Sequence, residues 1–341
     1  MIGDVLTSSV LFEVLRNEYP QAELHYLINT HTHPVVAGNP YIDDFVFFSP
    51  AMEKSKLEFL KLLRKVNKAN YDAVIDVYGK LSSKLICKCS HAKIRTAYAK
   101  KSNSFFYTHS VDRLTKPANN SSLAIENRLR LLAPLHISFQ AVQPKIHLTK
   151  HEISQAATVL MDAGISKEKP VYMISVLGSN ETKTYPAKYM AKLLDVIANE
   201  QAEAQILFNY IPNQEKEARA IYELTSENTQ QQIFFDVFGK NLREFLAITE
   251  HCNALIGNEG GAVNMAKALN IQTFIIFSPH MNKANWFGSE EAKTNVAVHL
   301  SDFISHEKED RILAKADPET YYLKFKPTFI APLLNKFLRA L

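Results

Sequence analysis

The 341-residue sequence predicts an α/β protein made of two doubly wound, Rossmann-like halves with parallel sheets. Three observations predict it. Short apolar runs alternate with helical patterns along nearly the whole chain, and strands that alternate with helices form parallel sheets covered on both faces. The length exceeds the usual size of one core and suits two domains of roughly 150 residues each. At residues 254–279, ALIGNEGGAVNMAKALNIQTFIIFSP, an apolar run breaks at Gly257-Asn258-Glu259-Gly260-Gly261, opens a helix and returns to an apolar run.

In the first half the expected strands are 22–28, 45–48, 71–77 and 93–98, separated by helices near 5–18, 54–69, 81–89 and 121–133. The stretch 140–148, with Pro144, suits an extended linker. In the second half the expected strands are 171–177, 205–210, 233–237, 254–257 and 272–277. Helices near 186–199, 213–228, 241–252 and 261–269 alternate with them. Asn241-Leu-Arg-Glu244 has the form of a capping box, which supports the helix leading to the glycine turn. Residues 327–341 read as a final amphipathic helix. The expected organisation is therefore a first domain over 1–145, a second over 146–320 and a helical tail over 321–341. Two such halves facing each other would place a cleft at the carboxyl ends of both sheets, where open α/β folds bind ligands.

Composition narrows the classes. Hydrophobic residues make up 46% and charged residues 22% of the chain, which is ordinary globular usage. No apolar run is long enough to span a bilayer, and no secretory signal is expected. Three cysteines, Cys87, Cys89 and Cys252, are too few for a disulfide framework and point to a reducing, cytoplasmic setting. Net charge is +4, yet residues 53–117 hold 15 Lys/Arg against 5 Asp/Glu. That basic stretch suits an anionic membrane surface or an acidic acceptor, and it equally suits solvated helix faces. Nucleic acid is not expected, because the aromatic spacing of a base-stacking platform is missing.

Three places carry candidate chemistry. Glycines in the turn at 257–261 let the backbone approach a ligand, and the amides and dipole of the following helix favour an anion such as a phosphate. A bare strand-to-helix turn would use the same glycines. Neither G-x-G-x-x-G after a first strand nor G-x-x-x-x-G-K-[ST] occurs, so dinucleotide and P-loop readings fail. The polar loop Leu177 to Pro186 puts Lys183 just ahead of a helix, where it could clamp a phosphate or simply be solvated. Asp4 follows Gly3 at the start of a helix, as an N-cap carboxylate would.

Taken together these residues resemble glycosyltransferase family 9, the ADP-heptose lipopolysaccharide heptosyltransferases, which have the two-domain GT-B fold. The resemblance rests on Ile2-Gly3-Asp4-Val5-Leu6, Gly38-Asn39-Pro40-Tyr41-Ile42-Asp43 and Asn70-Tyr71-Asp72-Ala73-Val74-Ile75-Asp76 in the first half. In the second it rests on Lys183-Thr184-Tyr185-Pro186, the glycine turn and Phe277-Ser278-Pro279. It implies an inverting, metal-independent transfer of a heptose-like sugar from a nucleotide diphosphate, ADP-linked by preference, to a lipopolysaccharide-core or related envelope glycolipid. It implies Asp4 as general base and Lys183 as the phosphate-contacting cation. Gly178, Ser179, Thr182, Asn258, Glu259, Gly260, Gly261, Ala262 and Ser278 would join Lys183 in holding the donor, and Glu259 takes the family's acidic turn position. No cofactor beyond the donor is implied, and peripheral contact with the inner membrane surface is expected.

The chain departs from the family in three ways. The family places a strand immediately before its Gly-Asp, where this chain has Met1 and Ile2, so the first domain is expected to lack its first strand. Asn264 stands where the family often has a His, and Glu259 is one methylene longer than the usual Asp. The alternatives left open are a non-catalytic sugar-nucleotide-binding protein and another GT-B enzyme using UDP-sugars.

Overall fold

The computed structural model describes residues 2–100, 105–137, 142–289 and 291–341. It forms two compact units, one of residues 1–145 with 284–290, the other of residues 146–283 with 291–341. The sheets are parallel throughout, as the alternation of strands and helices predicts.

The first unit opens with α1 (Ile2–Ser8) and α2 (Val10–Glu18), followed by β1 (His25–Asn29), β2 (Asp44–Phe48), α3 (Pro50–Lys54) and α4 (Lys56–Lys68). Then come β3 (Ala73–Asp76), α5 (Leu81–Cys89), β4 (Ile94–Tyr98), β5 (His109–Val111) and α6 (Leu123–Arg130). Strands β1 and β2 make one sheet and β3, β4 and β5 another. The single helix expected over 5–18 is two. Thr7, Ser8 and Ser9 donate their hydroxyls to the backbone carbonyls of Gly3, Asp4 and Leu6, an alternative to regular helix that loosens the turn where they cluster. Val10, Leu11 and Val14 of α2 pack with Ile125, Leu129 and Leu132 to form the main apolar cluster of this unit. Of the expected linker, Gln140 and Ala141 lie outside the described residues, and 142–148 has no regular structure.

The second unit begins with α7 (Lys150–Asp162), a helix the sequence reading missed although Thr149 and Glu152 form a complete capping box. It continues with β6 (Val171–Ser175), α8 (Ala187–Glu200), β7 (Gln205–Asn209), α9 (Glu215–Glu223), α10 (Glu227–Gln232) and α11 (Leu242–Thr249). It closes with β8 (Ala254–Asn258), α12 (Gly261–Ala268), β9 (Gln272–Ile276), β10 (Val296–Val298), α13 (Lys308–Ala316), α14 (Pro318–Lys324) and α15 (Pro327–Leu338). The sheet order is β10-β9-β8-β6-β7. All five residues of β6 and of β8 are buried, so the apolar runs read from the sequence are inner strands with a helix on each face. Ile330, Leu334, Phe337 and Leu338 of α15 belong to the same core.

Two further segments depart from the sequence expectation. Residues 233–237 form no strand: Ile233 makes a single bridge to Ile206, and the chain then turns, because Ile233 and Phe235 bury their side chains in the core instead of extending along β7. The helix expected over 213–228 is interrupted after Glu223, and Ser226 starts α10 by accepting from the Thr229 amide.

Candidate functional site

Strands β6 and β8 are neighbours, so the loops leaving their carboxyl ends meet. The first runs from Leu177 to Pro186, the second from Glu259 to the start of α12. Their closeness is written into the glycines. A Cβ on Gly257, whose φ is +130°, would lie 2.5 Å from the Ser175 carbonyl oxygen, and one on Gly178 would lie 2.3 Å from that of Lys183. Neither position has room for a side chain.

Asn258 is the clasp between the two loops. Its Nδ2 donates to the carbonyls of Ser175 and Val176, and its Oδ1 accepts from the Tyr185 amide at 2.7 Å. The side chain is fully engaged with backbone and buried, so it shapes the site from beneath. Thr184 closes the loop on itself, its hydroxyl accepting from the Gly178 amide and donating to the Asn180 carbonyl. Gln214 donates to the Gly178 carbonyl from the side.

This scaffold puts Lys183 Nζ 2.9 Å from Glu259 Oε1. Glu259 is 7% exposed and Lys183 24%, so the carboxylate is held inside while the ammonium still meets solvent. Among the described residues no hydrogen bond reaches Glu259 Oε1, and the ion pair alone balances it. Beside the pair, α12 begins with Gly260 at its N-cap and no side-chain cap, so its first amides are available to an anion. A Cβ at Gly260 would meet nothing within 4 Å, and one at Gly261 only Met265 Cε at 4.0 Å. Both positions have room for a side chain, unlike Gly178 and Gly257. Ala262 lies buried in the first turn of α12.

Ser278 follows β9 and donates to the Thr182 carbonyl at 2.7 Å, with its oxygen also 2.7 Å from His280 Nδ1. Tyr322 of α14 donates to the same Thr182 carbonyl. Burial, together with the nearby charges of Lys183 and Lys315, lowers the His280 pKa and favours the neutral ring. Sequence reasoning missed His280 and Tyr322. The first sat one residue past the Phe277-Ser278-Pro279 segment, and the second lay far off in an unremarkable α14. Ser179 is exposed on the loop, and Thr182 bonds Asn180 Oδ1 through its hydroxyl.

Asp4 stands in the first unit, in the first turn of α1. Its Oδ1 accepts from Arg128 Nη2 at 2.9 Å, and Arg128 also donates to Ser8 Oγ and the Ala124 carbonyl. Arg128 is nearly buried while Asp4 is 40% exposed. The guanidinium therefore holds the carboxylate from its buried side, while Asp4 stays partly exposed. Arg128 was not anticipated, because its partner lies 124 residues away in the chain.

Among the described residues no group of three or more His, Cys, Asp or Glu is placed to hold a metal ion, and no helix is long and apolar enough to cross a membrane. The three cysteines are free, and burial pushes the thiols of Cys87 and Cys252 up to about 12, where they are unreactive.

Comparison with known proteins adds the family. The model of glycosyltransferase family 9 (heptosyltransferase) matches residues 59–315. Lipopolysaccharide heptosyltransferase 1 of Campylobacter coli is 22% identical over 304 residues, covering 86% of this chain and 85% of the relative. The solved glycosyl transferase family 9 structure from Veillonella parvula is similar with a TM-score of 0.77 at 16% identity, covering 100% of this chain and 95% of that one. The E. coli ADP-heptose lps heptosyltransferase II structure is similar with a TM-score of 0.71 at 16% identity, covering 99% and 96%. These likenesses show the GT-B fold expected from the sequence.

Proposed function

The chain belongs to glycosyltransferase family 9, and we propose that it moves a heptose-like sugar from an ADP-linked donor to a hydroxyl of a lipopolysaccharide-core or related envelope glycolipid. The observation that carries the reading is the Lys183–Glu259 pair beside the uncapped start of α12. A cation beside the uncapped amides of a helix start suits a diphosphate. The similar proteins are named as heptosyltransferases of lipopolysaccharide, one of them of ADP-heptose, and those names support this reading of the sugar, the nucleotide and the acceptor class.

In this reading the donor diphosphate lies on the amides of Gly261 and Ala262, and Lys183 turns its ammonium from Glu259 to the phosphate oxygens. The acceptor hydroxyl attacks the anomeric carbon from the face opposite the diphosphate. The bond to the leaving ADP breaks, and the hydroxyl proton passes to the Asp4 carboxylate, which Arg128 holds in place. General-base assistance of this kind is worth about 10²- to 10⁴-fold. Lys183 and the amides offset the charge growing on ADP, the work a metal does in other transferases. Glu259, freed from Lys183, takes a hydroxyl of the donor's ribose or sugar.

The basic helices of the first unit would meet the acceptor's membrane. Lys80, Lys84 and Lys88 lie over the rings of Tyr78, Phe106 and Phe105, with Leu57, Leu81 and Phe105 largely exposed. Titration with ADP, in buffer containing EDTA, tests the donor half of the reading. Saturable binding is expected, and its absence from a cooperatively melting protein would contradict it.

A further inference from the structure

A third loop at this end of the second sheet leaves β9, the neighbour of β8. It carries Ser278, Pro279 and His280, and the Met281 amide closes it into a turn on the Ser278 carbonyl at 2.9 Å. Two other rings hold that turn. His299 and His306 both bring Nε2 to the Pro279 carbonyl, at 3.3 and 2.6 Å, and the Glu259 amide donates to the Ile276 carbonyl just ahead of the loop. His280 therefore stands on a fixed backbone at the carboxyl ends of the strands, where open α/β sheets bind ligands. The charge of Lys183 reaches its ring.

Hydrogen-bond accounting assigns the two ring nitrogens. Ser278 is buried, and its hydroxyl has one proton to give. With that proton on the Thr182 carbonyl, 2.7 Å away, the 2.7 Å contact between Ser278 Oγ and His280 Nδ1 is a hydrogen bond only when Nδ1 carries the ring proton. The opposite tautomer either leaves the Thr182 carbonyl to Tyr322 alone or sets two lone pairs against each other at 2.7 Å, so it makes one of these bonds where the first makes both. A neutral imidazole has a single N–H, and burial with the charges of Lys183 and Lys315 favours the neutral ring. Nε2 is then a bare acceptor. Among the described residues no hydrogen bond reaches it, and the ring is partly exposed.

We propose that His280 is a specificity-determining residue of the donor site, its Nε2 accepting a hydrogen bond from a hydroxyl of the nucleotide sugar. A lone pair repels phosphate oxygens, so its partner is not the diphosphate that Lys183 and the α12 amides attract. Beside the diphosphate a nucleotide sugar offers hydroxyls, from the ribose on one side and from the transferred sugar on the other. This role rests on the transferase reading, and within it His280 selects for the hydroxyl pattern of the donor. A buried acceptor-only site favours the ligand that brings the proton over an analogue that lacks it.

Two measurements on the full chain test it. Nitrogen NMR of the histidine rings at mildly alkaline pH, with His280→Gln to identify the signal by its loss, reads the tautomer. A protonated Nδ1 and a bare Nε2 are expected, and the reverse would overturn the proposal. Titrations of the wild type and His280→Ala with ADP, 2′-deoxy-ADP, 3′-deoxy-ADP and ADP-heptose then locate the hydroxyl. If it belongs to the ribose, His280→Ala should bind ADP about 3- to 10-fold more weakly, yet bind one of the two deoxy-ADPs as well as the wild type does. If it belongs to the transferred sugar, the three ADP ligands should be unaffected and ADP-heptose alone weakened by that factor. Equal binding of every ligand by both proteins would overturn the proposal. So would equal weakening of every ligand, which would make His280 a support for the Lys183 loop and no contact of the donor. Failure of the wild type to bind any of them would overturn the transferase reading itself, and this role with it.

Discussion

Lys183 Nζ lies 2.9 Å from Glu259 Oε1, tying the loop after β6 to the turn after β8. The pair is electrically closed, and in the proposed reading it opens to a diphosphate when the lysine changes partner. That exchange makes its two members separable by substitution.

Lys183→Met leaves the buried Glu259 carboxylate without its counter-charge and the diphosphate without its cation. Stability should fall by roughly 2–3 kcal/mol and ADP affinity by about 10- to 100-fold. Adding Glu259→Gln should restore most of the stability and little of the affinity. Calorimetric melting and ADP titration of both variants read the two effects apart.

The glycines divide into structural and ligand-facing ones. Gly178→Ala forces a Cβ against the Lys183 carbonyl and should cost about 1–3 kcal/mol. Gly261→Ala meets open space at the first position of α12 and should leave stability equal or higher by up to about 1 kcal/mol, yet weaken ADP binding. Unchanged ADP affinity in Gly261→Ala would remove the diphosphate from the start of α12.

Asp4→Asn keeps an acceptor for Arg128 and removes the base. Turnover should drop about 10²- to 10⁴-fold, while ADP affinity stays within about twofold. Persistence of full turnover would assign the base elsewhere. Loss of ADP binding would mean that Asp4 supports the donor site and not the acceptor.

His299 reports on the ground beneath the site. Its ring approaches the Pro279 carbonyl, next to Ser278 and His280. Burial, with the charge of His306 second, lowers its pKa from 6.5 to about 4. The unfolded ring takes a proton near pH 6.5 and the folded ring only near 4. Stability is therefore complete above pH 6.5 and declines as pH falls toward 4, by at most ~1.4 kcal/mol per pH unit. His299→Gln should flatten that part of the stability profile, as denaturant melts at stepped pH would reveal.

The second unit was legible because its strands are unbroken apolar runs closed by glycine or proline. β6, β8 and α12 follow the sequence reading within a residue or two. Local chemistry was read well in kind and imperfectly in detail. Asn241 does accept from the Glu244 amide, but Glu244 reaches back to the Lys240 amide and not to that of Asn241. Strand 233–237 failed because burial of Ile233 and Phe235 is tertiary, and the same apolar pattern serves a turn pressed into the core. Arg128, His280 and Tyr322 could not be read at all. Each comes to its partner through the fold, and nothing in its own neighbourhood marks it.

The most direct measurement is release of nucleotide diphosphate when the purified protein meets ADP-heptose and a heptose-accepting core glycolipid, with UDP-linked sugars in parallel. Acceptor-dependent ADP release that survives EDTA, with no UDP formed, is the expected result. Release of UDP alone, or no acceptor-dependent release from a protein that binds ADP, would contradict it.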